Sequence, residues 1–184
     1  MADMEKLEQR ISELERRIQM QEDIRAIERL QANYWDCLDK KDWDGLRACF
    51  TDDFVFINNT TGGRYVGGDG MLATMKGKFT NNVTSSHHGH HHWVEITGED
   101  TALAHWALED DLYDAVNGGE FVGRAHYDNK YIKVDGRWYA TEMLSPIFAV
   151  RATSRRDLRT ARTHMRFSLC DSRNRITKME CILK

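Results

Sequence analysis

The stretch that decides the fold reads EFVGRAHYDNKYIKVDGRWYATEMLSPIFA and runs from residue 120 to residue 149. It contains two segments rich in β-forming residues, Glu120–Val134 and Arg137–Ala149, on either side of Asp135-Gly136. An Asp-Gly pair between two such segments is typical of a tight hairpin. The pattern therefore predicts two long antiparallel strands joined by a two-residue turn.

The segments upstream of this hairpin extend the pattern and set the fold class. Two more strands, His88–Ile96 and Thr101–Tyr113, are bounded by turn residues at 97–100 and 117–119. Apolar spacing before them predicts helices at Met4–Leu38, Trp43–Phe50 and Gly67–Thr80, with a short strand at 54–57 and turn residues at 58–63. Helices followed by long strands predict an α+β domain, in which the helices pack on one face of a curved antiparallel sheet.

The first helix carries an apolar stripe formed by Leu7, Ile11, Leu14 and Ile18, here called the N-terminal stripe. Its steps of four, three and four residues correspond to a and d positions, with charged residues between them. The stripe is shorter than the three or four heptads of a long coiled coil. We expect this helix to lie on its own domain or on a partner subunit.

Length and charge restrict the classes of partner. A chain of 184 residues is long enough for one domain with a substantial core, and a net charge of −3 favours neither nucleic acid nor a membrane as partner. The four cysteines (Cys37, Cys49, Cys170 and Cys181) lack CxxC spacing, which indicates reduced thiols. The N-terminus has no secretory signal pattern, so we expect a cytoplasmic protein.

The C-terminal part differs in composition from the rest. Residues 151–184 contain ten Lys and Arg residues against Asp157, Asp171 and Glu180. We expect residues 1–150 to form the domain and residues 151–184 to form a basic extension, packed on its own or on a neighbouring subunit. Short strands at 167–170 and 176–183 are consistent with the pattern, and a basic patch for an acidic ligand is the alternative.

The histidine run at residues 87–92 is the most unusual ionisable feature. On a regular strand, His88, His90 and His92 share one face, and His87 and His91 lie on the other. A zinc or iron site on the three alternating histidines is the alternative ranked last, because no acidic or cysteine ligand accompanies them, so we expect no bound metal. A single histidine paired with a carboxylate has a different use, because the carboxylate fixes its tautomer and leaves one nitrogen to take a proton.

Three blocks of sequence resemble the SnoaL-like branch of the nuclear transport factor 2 superfold, which includes scytalone dehydratase and bacterial bile acid 7α-dehydratase. They are Asp23–Leu30 continuing through Tyr34 to Leu46, the block Ser86–His90 with the strand that ends in Leu108-Glu109-Asp110, and the hairpin Tyr127–Trp138. The second block is most similar to the bile acid dehydratase pattern. The resemblance covers about residues 5–150 and implies a cone-shaped sheet closed by helices around one deep pocket.

The resemblance also implies a set of site residues. Asp39 and His87 match the acid–base pair of the dehydratases, and Tyr34 matches a catalytic pocket tyrosine. Substrate recognition differs: Asn58 replaces a pocket tyrosine, Leu112 a histidine and Tyr127 an asparagine. A late pocket arginine is missing near Ile147, and Arg151 could approach this place only if the strand end is rearranged. Apart from the resemblance, Trp35, Trp106, Met71 and Phe56 are predicted as apolar walls, with plain core residues as the alternative. Asp110 is expected to face the pocket because it shares strand parity with Trp106, with a salt-bridged surface position as the alternative.

These features predict a lyase that needs no cofactor and acts on a bulky apolar or aromatic hydroxylated substrate. Two reactions use the same base: β-elimination of water, and retro-aldol cleavage of a carbon–carbon bond, as in deformylation of a lignin-type diarylpropane. A small-molecule binding protein of the same fold is the main alternative, and a hydrolase or isomerase, which usually relies on carboxylates, is less consistent with a histidine base. We also expect a homo-oligomer, either a dimer or a trimer, because the apolar stripe and the outer sheet face need cover.

Overall fold

The computed structural model describes residues 2–58, 62–145, 147–153, 165–170 and 176–181 of the chain. All three helices lie in the first part of the chain, and every described element after the third helix is a strand. In chain order they are α1 (Ala2–Lys40), α2 (Trp43–Arg47), β1 (Phe50–Asn58), β2 (Gly63–Val66), α3 (Gly68–Lys78), β3 (Val83–Ile96), β4 (Thr101–Asp114), β5 (Gly119–Val134), β6 (Arg137–Leu144), β7 (Ile147–Thr153), β8 (Met165–Cys170) and β9 (Ile176–Cys181). The predicted α+β class is confirmed.

The nine described strands form one sheet built around β5. One edge of β5 pairs with β4 from Gly119 to Ile132, while the other edge pairs first with β7 and then with β6. The order along the main path is β2-β1-β6-β5-β7-β8-β9, and β3 is attached through β4. Register shifts interrupt both the β5–β6 and β5–β7 pairings, and such irregularities bend a sheet. The pairs are antiparallel except that β1 runs parallel to β6, which the sequence pattern did not indicate.

Several boundaries differ from the sequence-based predictions. The predicted helix at 43–50 ends at Arg47, and Phe50 already begins β1. Of the turn predicted at 58–63, residues 59–61 lie outside the described residues, and Gly63 already begins a short strand, β2, that the prediction missed. The predicted strand Arg137–Ala149 is two strands: β6 ends at Leu144, and β7 begins at Ile147. Strand β7 spans the proposed domain boundary at residue 150, and β8 and β9 continue the same sheet.

Helix α1 is held on the sheet by polar contacts in its second half. Trp138 donates an indole hydrogen bond of 2.9 Å to Asp23, and Lys133 forms an ion pair of 2.6 Å with the same carboxylate. Deeper in the core, Gln31 accepts hydrogen bonds from Tyr131 and Asn129 at 2.7 and 2.9 Å. Because buried polar groups need partners, these contacts fix the position of the helix relative to the strands.

The first half of α1 has a different environment. Leu7, Ile11, Leu14 and Ile18 are 48–58% exposed, so the N-terminal stripe does not pack on its own domain within the described residues. Of the two positions predicted for this helix, packing on its own domain is therefore wrong for this segment. None of the described helices is long and apolar enough to cross a membrane.

Candidate active site

Asp39 and His87 come from distant parts of the chain and meet on the inner face of the sheet. Asp39 lies in the last turn of α1, and His87 lies on β3. The distance from His87 Nδ1 to Asp39 Oδ1 is 2.6 Å, and the side chains are 3% and 23% exposed, respectively. The ring of Phe79, at the end of α3, packs against the imidazole with a centroid distance of 5.6 Å. The predicted pair is therefore in direct contact, although its catalytic role remains a prediction.

Two further hydrogen bonds fix the Asp39 carboxylate. The Ser85 hydroxyl donates to Oδ1 at 2.7 Å, and the backbone N–H of His87 donates to Oδ2 at 2.9 Å. Burial acts to raise the pKa of Asp39, but the hydrogen bonds from His87 and Ser85 outweigh it and hold the pKa below its usual value. An ionised Asp39 requires the proton of a neutral imidazole on Nδ1. The Nε2 lone pair, which has no hydrogen bond within the described residues, is then available as a base.

Asp110 is a second carboxyl group in the same interior. It lies on β4 directly opposite His87 in the β3–β4 register. Burial raises its pKa, and the interaction with His87 offsets only part of this effect. Its β5 neighbour Gly123 provides the necessary space, since a Cβ at that position would lie 2.0 Å from Asp110 Oδ1. The site thus combines a carboxyl group whose pKa is lowered, Asp39, with one whose pKa is raised, Asp110.

Two buried tyrosines complete the polar part of the site. Burial and the neighbouring Tyr127 hydroxyl raise the pKa of Tyr34 well above its usual value. Burial and Asp110 raise the pKa of Tyr127 to about 12, while Tyr34 and Ser145 act to lower it. Both phenols are therefore protonated at neutral pH and can donate hydrogen bonds. The structure places Tyr34 and Tyr127 beside each other and within electrostatic reach of Asp110.

The aromatic residues predicted as pocket walls pack on one another. The rings of Trp35 and Trp106 meet edge to face with centroids 5.6 Å apart, and His92 stacks on Trp106 at 4.5 Å. Gly89 is required here, because a Cβ at this position would lie 2.0 Å from the Trp35 ring. These contacts form a continuous aromatic layer beside the polar group of His87 and Asp110.

A model of the SnoaL-like domain family matches residues 19–143 of the chain. The chain belongs to the SnoaL-like family. Similar solved structures include a provisionally assigned scytalone dehydratase of Novosphingobium aromaticivorans, with 22% identity, a TM-score of 0.65, and 70% of this chain and 85% of that chain covered. A provisionally assigned aromatic ring hydroxylase of the same organism has 22% identity, a TM-score of 0.65 and coverage of 74% and 95%. A hexachlorocyclohexane dehydrochlorinase of the LinA type 2 has 19% identity, a TM-score of 0.62 and coverage of 70% and 86%.

These neighbours establish the fold of the SnoaL-like chain, as the resemblance implied. At such identities they do not transfer a reaction, because one fold supports many chemistries. Two of the three carry names of elimination enzymes, and the third carries that of a hydroxylase. The function must therefore be derived from the side chains of the site.

The remaining predicted site residues of this SnoaL-like protein lie around the same interior or at its edge. Phe56 is buried and packs against Tyr65, with ring centroids 6.0 Å apart. Met71 is fully buried in the core. Leu112 pairs with Ser85 across β3 and β4 and lines a surface cavity of about 340 Å³. Their participation in binding stays a prediction.

Two predicted positions lie near the ends of strands. Asn58 ends β1, next to Ile57, whose carbonyl accepts a hydrogen bond of 2.8 Å from the Ser145 backbone. The side chain of Arg151, which could substitute for the missing arginine only with a rearranged strand end, lies outside the described residues. Its backbone pairs with Val122 on β5. The roles predicted for Asn58 and Arg151 therefore remain predictions.

The histidine run of the SnoaL-like chain does not alternate as predicted. A bulge shifts the β3–β4 register between His90 and Trp93, and His91 has a positive φ of 48°. His92 consequently reaches Trp106 on the inner face, instead of sharing the outer face with His88 and His90. In the described part of the chain, no three histidine, cysteine, aspartate or glutamate side chains are arranged to hold a metal ion.

Sequence reasoning missed three residues that shape this site. Ser85 shares strand parity with His87, and this signal would have identified it. Gly123 and Ser145 had no local signal, because their importance depends on the cross-strand position of Asp110 and on the proximity of Tyr127.

Proposed function

We propose that this SnoaL-like protein is a cofactor-independent lyase that removes water from a bulky apolar or aromatic hydroxylated substrate. The observation that supports this proposal is the position of His87, held by the Asp39 carboxylate, opposite the buried carboxyl group of Asp110. One site then holds a proton acceptor and a proton donor, and elimination of water needs both. Divergent pKa values of neighbouring groups are a common sign of such an assignment.

The reaction can be written with these groups alone. His87 Nε2 takes a proton from the substrate carbon next to the carbon that carries the hydroxyl group. The C–H electron pair forms the new double bond, the C–O bond breaks, and Asp110 gives its proton to the departing oxygen, which leaves as water. The imidazolium is stabilised by Asp39 until it loses its proton and Asp110 regains one.

Tyr34 and Tyr127 have a supporting role in this scheme. Their raised pKa values keep both hydroxyl groups protonated, so both can donate hydrogen bonds. The acceptor would be an oxyanion, which develops when the substrate carbon that loses its proton is conjugated to a carbonyl or phenol. The aromatic layer of Trp35 and Trp106 provides an apolar surface for a flat ring system. These two features support an aromatic, polyketide-like or steroid-like substrate.

The same base supports a second reaction. If His87 takes the proton of a hydroxyl group instead of a C–H proton, a carbon–carbon bond can break in retro-aldol fashion and release an aldehyde. In that reaction Asp110 protonates the carbanion and not a leaving hydroxyl group. The two reactions differ in their products: one releases water and the other releases formaldehyde from a diaryl diol.

The test is a substrate screen by mass spectrometry without added metal or cofactor, run on hydroxylated steroids, hydroxylated polyketides and diaryl diols. His87→Ala is the test variant, and His90→Ala is the matched control, because His90 lies on the same strand with its side chain exposed. We expect the first variant to lose at least about 100-fold in turnover and the second to match wild type. A product that has lost water indicates elimination, and released formaldehyde indicates carbon–carbon cleavage.

The binding-protein alternative makes the opposite prediction. If wild type turns over none of these compounds, or if His87→Ala performs as well as wild type, the lyase proposal is wrong. Binding of the same compounds without turnover would then favour a ligand carrier of this fold.

A further inference from the structure

The N-terminal stripe is an apolar surface in the first half of a long helix, and no described residue covers it. Leu7, Ile11, Leu14 and Ile18 are 52%, 48%, 53% and 58% exposed, although α1 continues unbroken to Lys40. Met4 continues the same spacing and is 60% exposed. From Met4 to Ile18 the stripe is about 21 Å long at the helical rise of 1.5 Å per residue. The second half of α1 packs on the sheet, so the stripe is the part of the helix that the described residues leave uncovered.

We propose that this segment forms a parallel, two-stranded coiled coil with the same segment of a second copy of the chain. The steps of three and four residues place Ile11 and Ile18 at a positions and Leu7 and Leu14 at d positions. Isoleucine at a combined with leucine at d is the arrangement that favours two parallel strands over three or four. The choice of apolar residue therefore specifies the number of helices as well as the surface.

The charges beside the stripe specify the partner. Arg10 and Arg17 occupy g positions, and Glu15 and Glu22 occupy e positions. In a parallel dimer each g residue faces the e residue five positions later on the other chain. Arg10 then faces Glu15 of the second copy and Arg17 faces Glu22, and symmetry doubles both pairs to give four attractive contacts.

The same charges disfavour the antiparallel arrangement. In that arrangement e positions face e positions, and all three e positions of the stripe, Glu8, Glu15 and Glu22, are acidic. In the parallel arrangement a single g–e combination, Asp3 with Glu8, brings like charges together, at the end of the helix where solvent screens them most. Charge complementarity thus identifies a second copy in parallel orientation as the occupant.

The length of the stripe is compatible with this assignment. An isolated helix of two to three heptads is marginal in water, because its nucleation is unfavourable. In this chain the helix is already nucleated, since Asp23 anchors it to Trp138 and Lys133 of the sheet. The interface between the two stripes, here called the seam, therefore needs to provide only the contacts between two helices that are already formed.

The first test is charge reversal in the full chain, with association measured by light scattering and sedimentation over a range of concentrations. We expect the wild type to be a dimer and Arg10→Glu/Arg17→Glu to weaken its association by at least about tenfold, because four attractive pairs become repulsive. The matched control is Lys6→Glu/Arg16→Glu, which changes net charge equally at positions away from the seam. Mixing the first variant with Glu15→Arg/Glu22→Arg should restore association. A monomeric or trimeric wild type, or equal association of the reversal and control variants, would overturn the proposal.

The second test measures orientation and register. In a parallel dimer the two copies of position 18 face each other, so Ile18→Cys should crosslink under mild oxidation. Arg16→Cys lies on the other side of the helix and serves as control. Equal crosslinking of the two variants, or none in either, would exclude the parallel seam and would indicate that another part of the chain or another protein covers the stripe. Neither test depends on enzyme activity, so the outcome is independent of the proposed lyase function.

Discussion

Replacement of Asp39 by asparagine tests the proposed base most directly. The wild-type carboxylate accepts three hydrogen bonds, from Ser85 Oγ at 2.7 Å, the His87 backbone at 2.9 Å and His87 Nδ1 at 2.6 Å. An asparagine side chain has the same shape but only one oxygen, and its amide nitrogen is a donor. If the oxygen keeps the backbone N–H contact that Oδ2 makes in the wild type, the NH₂ group takes the place of Oδ1, where it faces Nδ1 and the Ser85 hydroxyl oxygen, which can accept a hydrogen bond. The imidazole must then accept at Nδ1 and carry its proton on Nε2.

The size of the effect follows from this exchange. A hydrogen bond to a charged group contributes about 1.5–3 kcal/mol, so loss of the Asp39–His87 contact should destabilise the fold by about 2 kcal/mol. For a chain of this size that corresponds to a decrease in Tm of about 4–8 °C. Turnover should fall more sharply, by about 10²- to 10⁴-fold, because the nitrogen that should take the proton already holds one. The analogous aspartate-to-asparagine exchange in serine proteases lowers kcat by about 10⁴ for the same reason.

The assay is nitrogen-15 NMR of the imidazole, which reports the tautomer without any substrate. We expect wild-type His87 to carry its proton on Nδ1 and Asp39→Asn to carry it on Nε2. Ser85→Ala is the matched control, since it removes one hydrogen bond from Asp39 and leaves the imidazole contact in place. It should keep the wild-type tautomer and lose less than about tenfold in turnover. The same tautomer in wild type and Asp39→Asn would refute the reasoning.

Four further predictions follow from the site. Burial raises the pKa of Asp110, so the stability of the protein falls as the pH rises through the folded pKa of this group. Asp110→Asn has no carboxyl group to ionise, so it should raise the Tm at pH 7 by about 2–4 °C while turnover is lost, and a lower Tm in thermal melts would contradict this. Gly123→Ala places a Cβ 2.0 Å from the Asp110 carboxyl oxygen and should lower turnover at least about tenfold, whereas Gly77→Ala, which meets no atom within 4 Å, should retain wild-type activity. Hydrogen bonds hold the pKa of Asp39 below its usual value, so the ionised carboxylate stabilises the fold above about pH 4 and this effect is lost at lower pH. The Tm difference between wild type and Asp39→Asn should therefore shrink between pH 6 and pH 3, and a constant difference would contradict an ionised carboxylate. Tyr34→Phe keeps the ring and removes the hydroxyl group beside Tyr127, so turnover should fall about 10- to 100-fold with a small change in Tm; unchanged kinetics would remove Tyr34 from the mechanism.

Strand parity predicted much of the inner face. Because alternate residues of a strand share a face, the position of Trp106 on the inner face also predicted the position of Asp110. The same rule places Ser85 beside His87, and the structure shows Ser85 bonded to Asp39. Such relations depend only on local geometry, which is why they can be derived from a single sequence.

Contacts between distant segments could not be derived in this way. Asp39 and His87 are 48 residues apart, and no periodicity indicates that they meet; the family resemblance supplied that expectation. The bulge at His91 was also not predictable, because one extra residue changes the parity of everything after it and leaves no signature in composition. The parallel pairing of β1 with β6 likewise depends on the overall topology.

One helix carries both the N-terminal stripe and Asp39, and this has a consequence for how the sequence can change. Each residue of an α-helix turns the chain by about 100° and advances it by about 1.5 Å. A single-residue insertion between Ile18 and Asp39 would therefore rotate the stripe by more than a quarter turn relative to the carboxylate. Two or three insertions would not restore the phase, while a seven-residue insertion nearly would, because seven residues make about two turns. We expect natural relatives that share both features to differ in the length of this helical segment by whole heptads, whereas the turns between strands can vary freely.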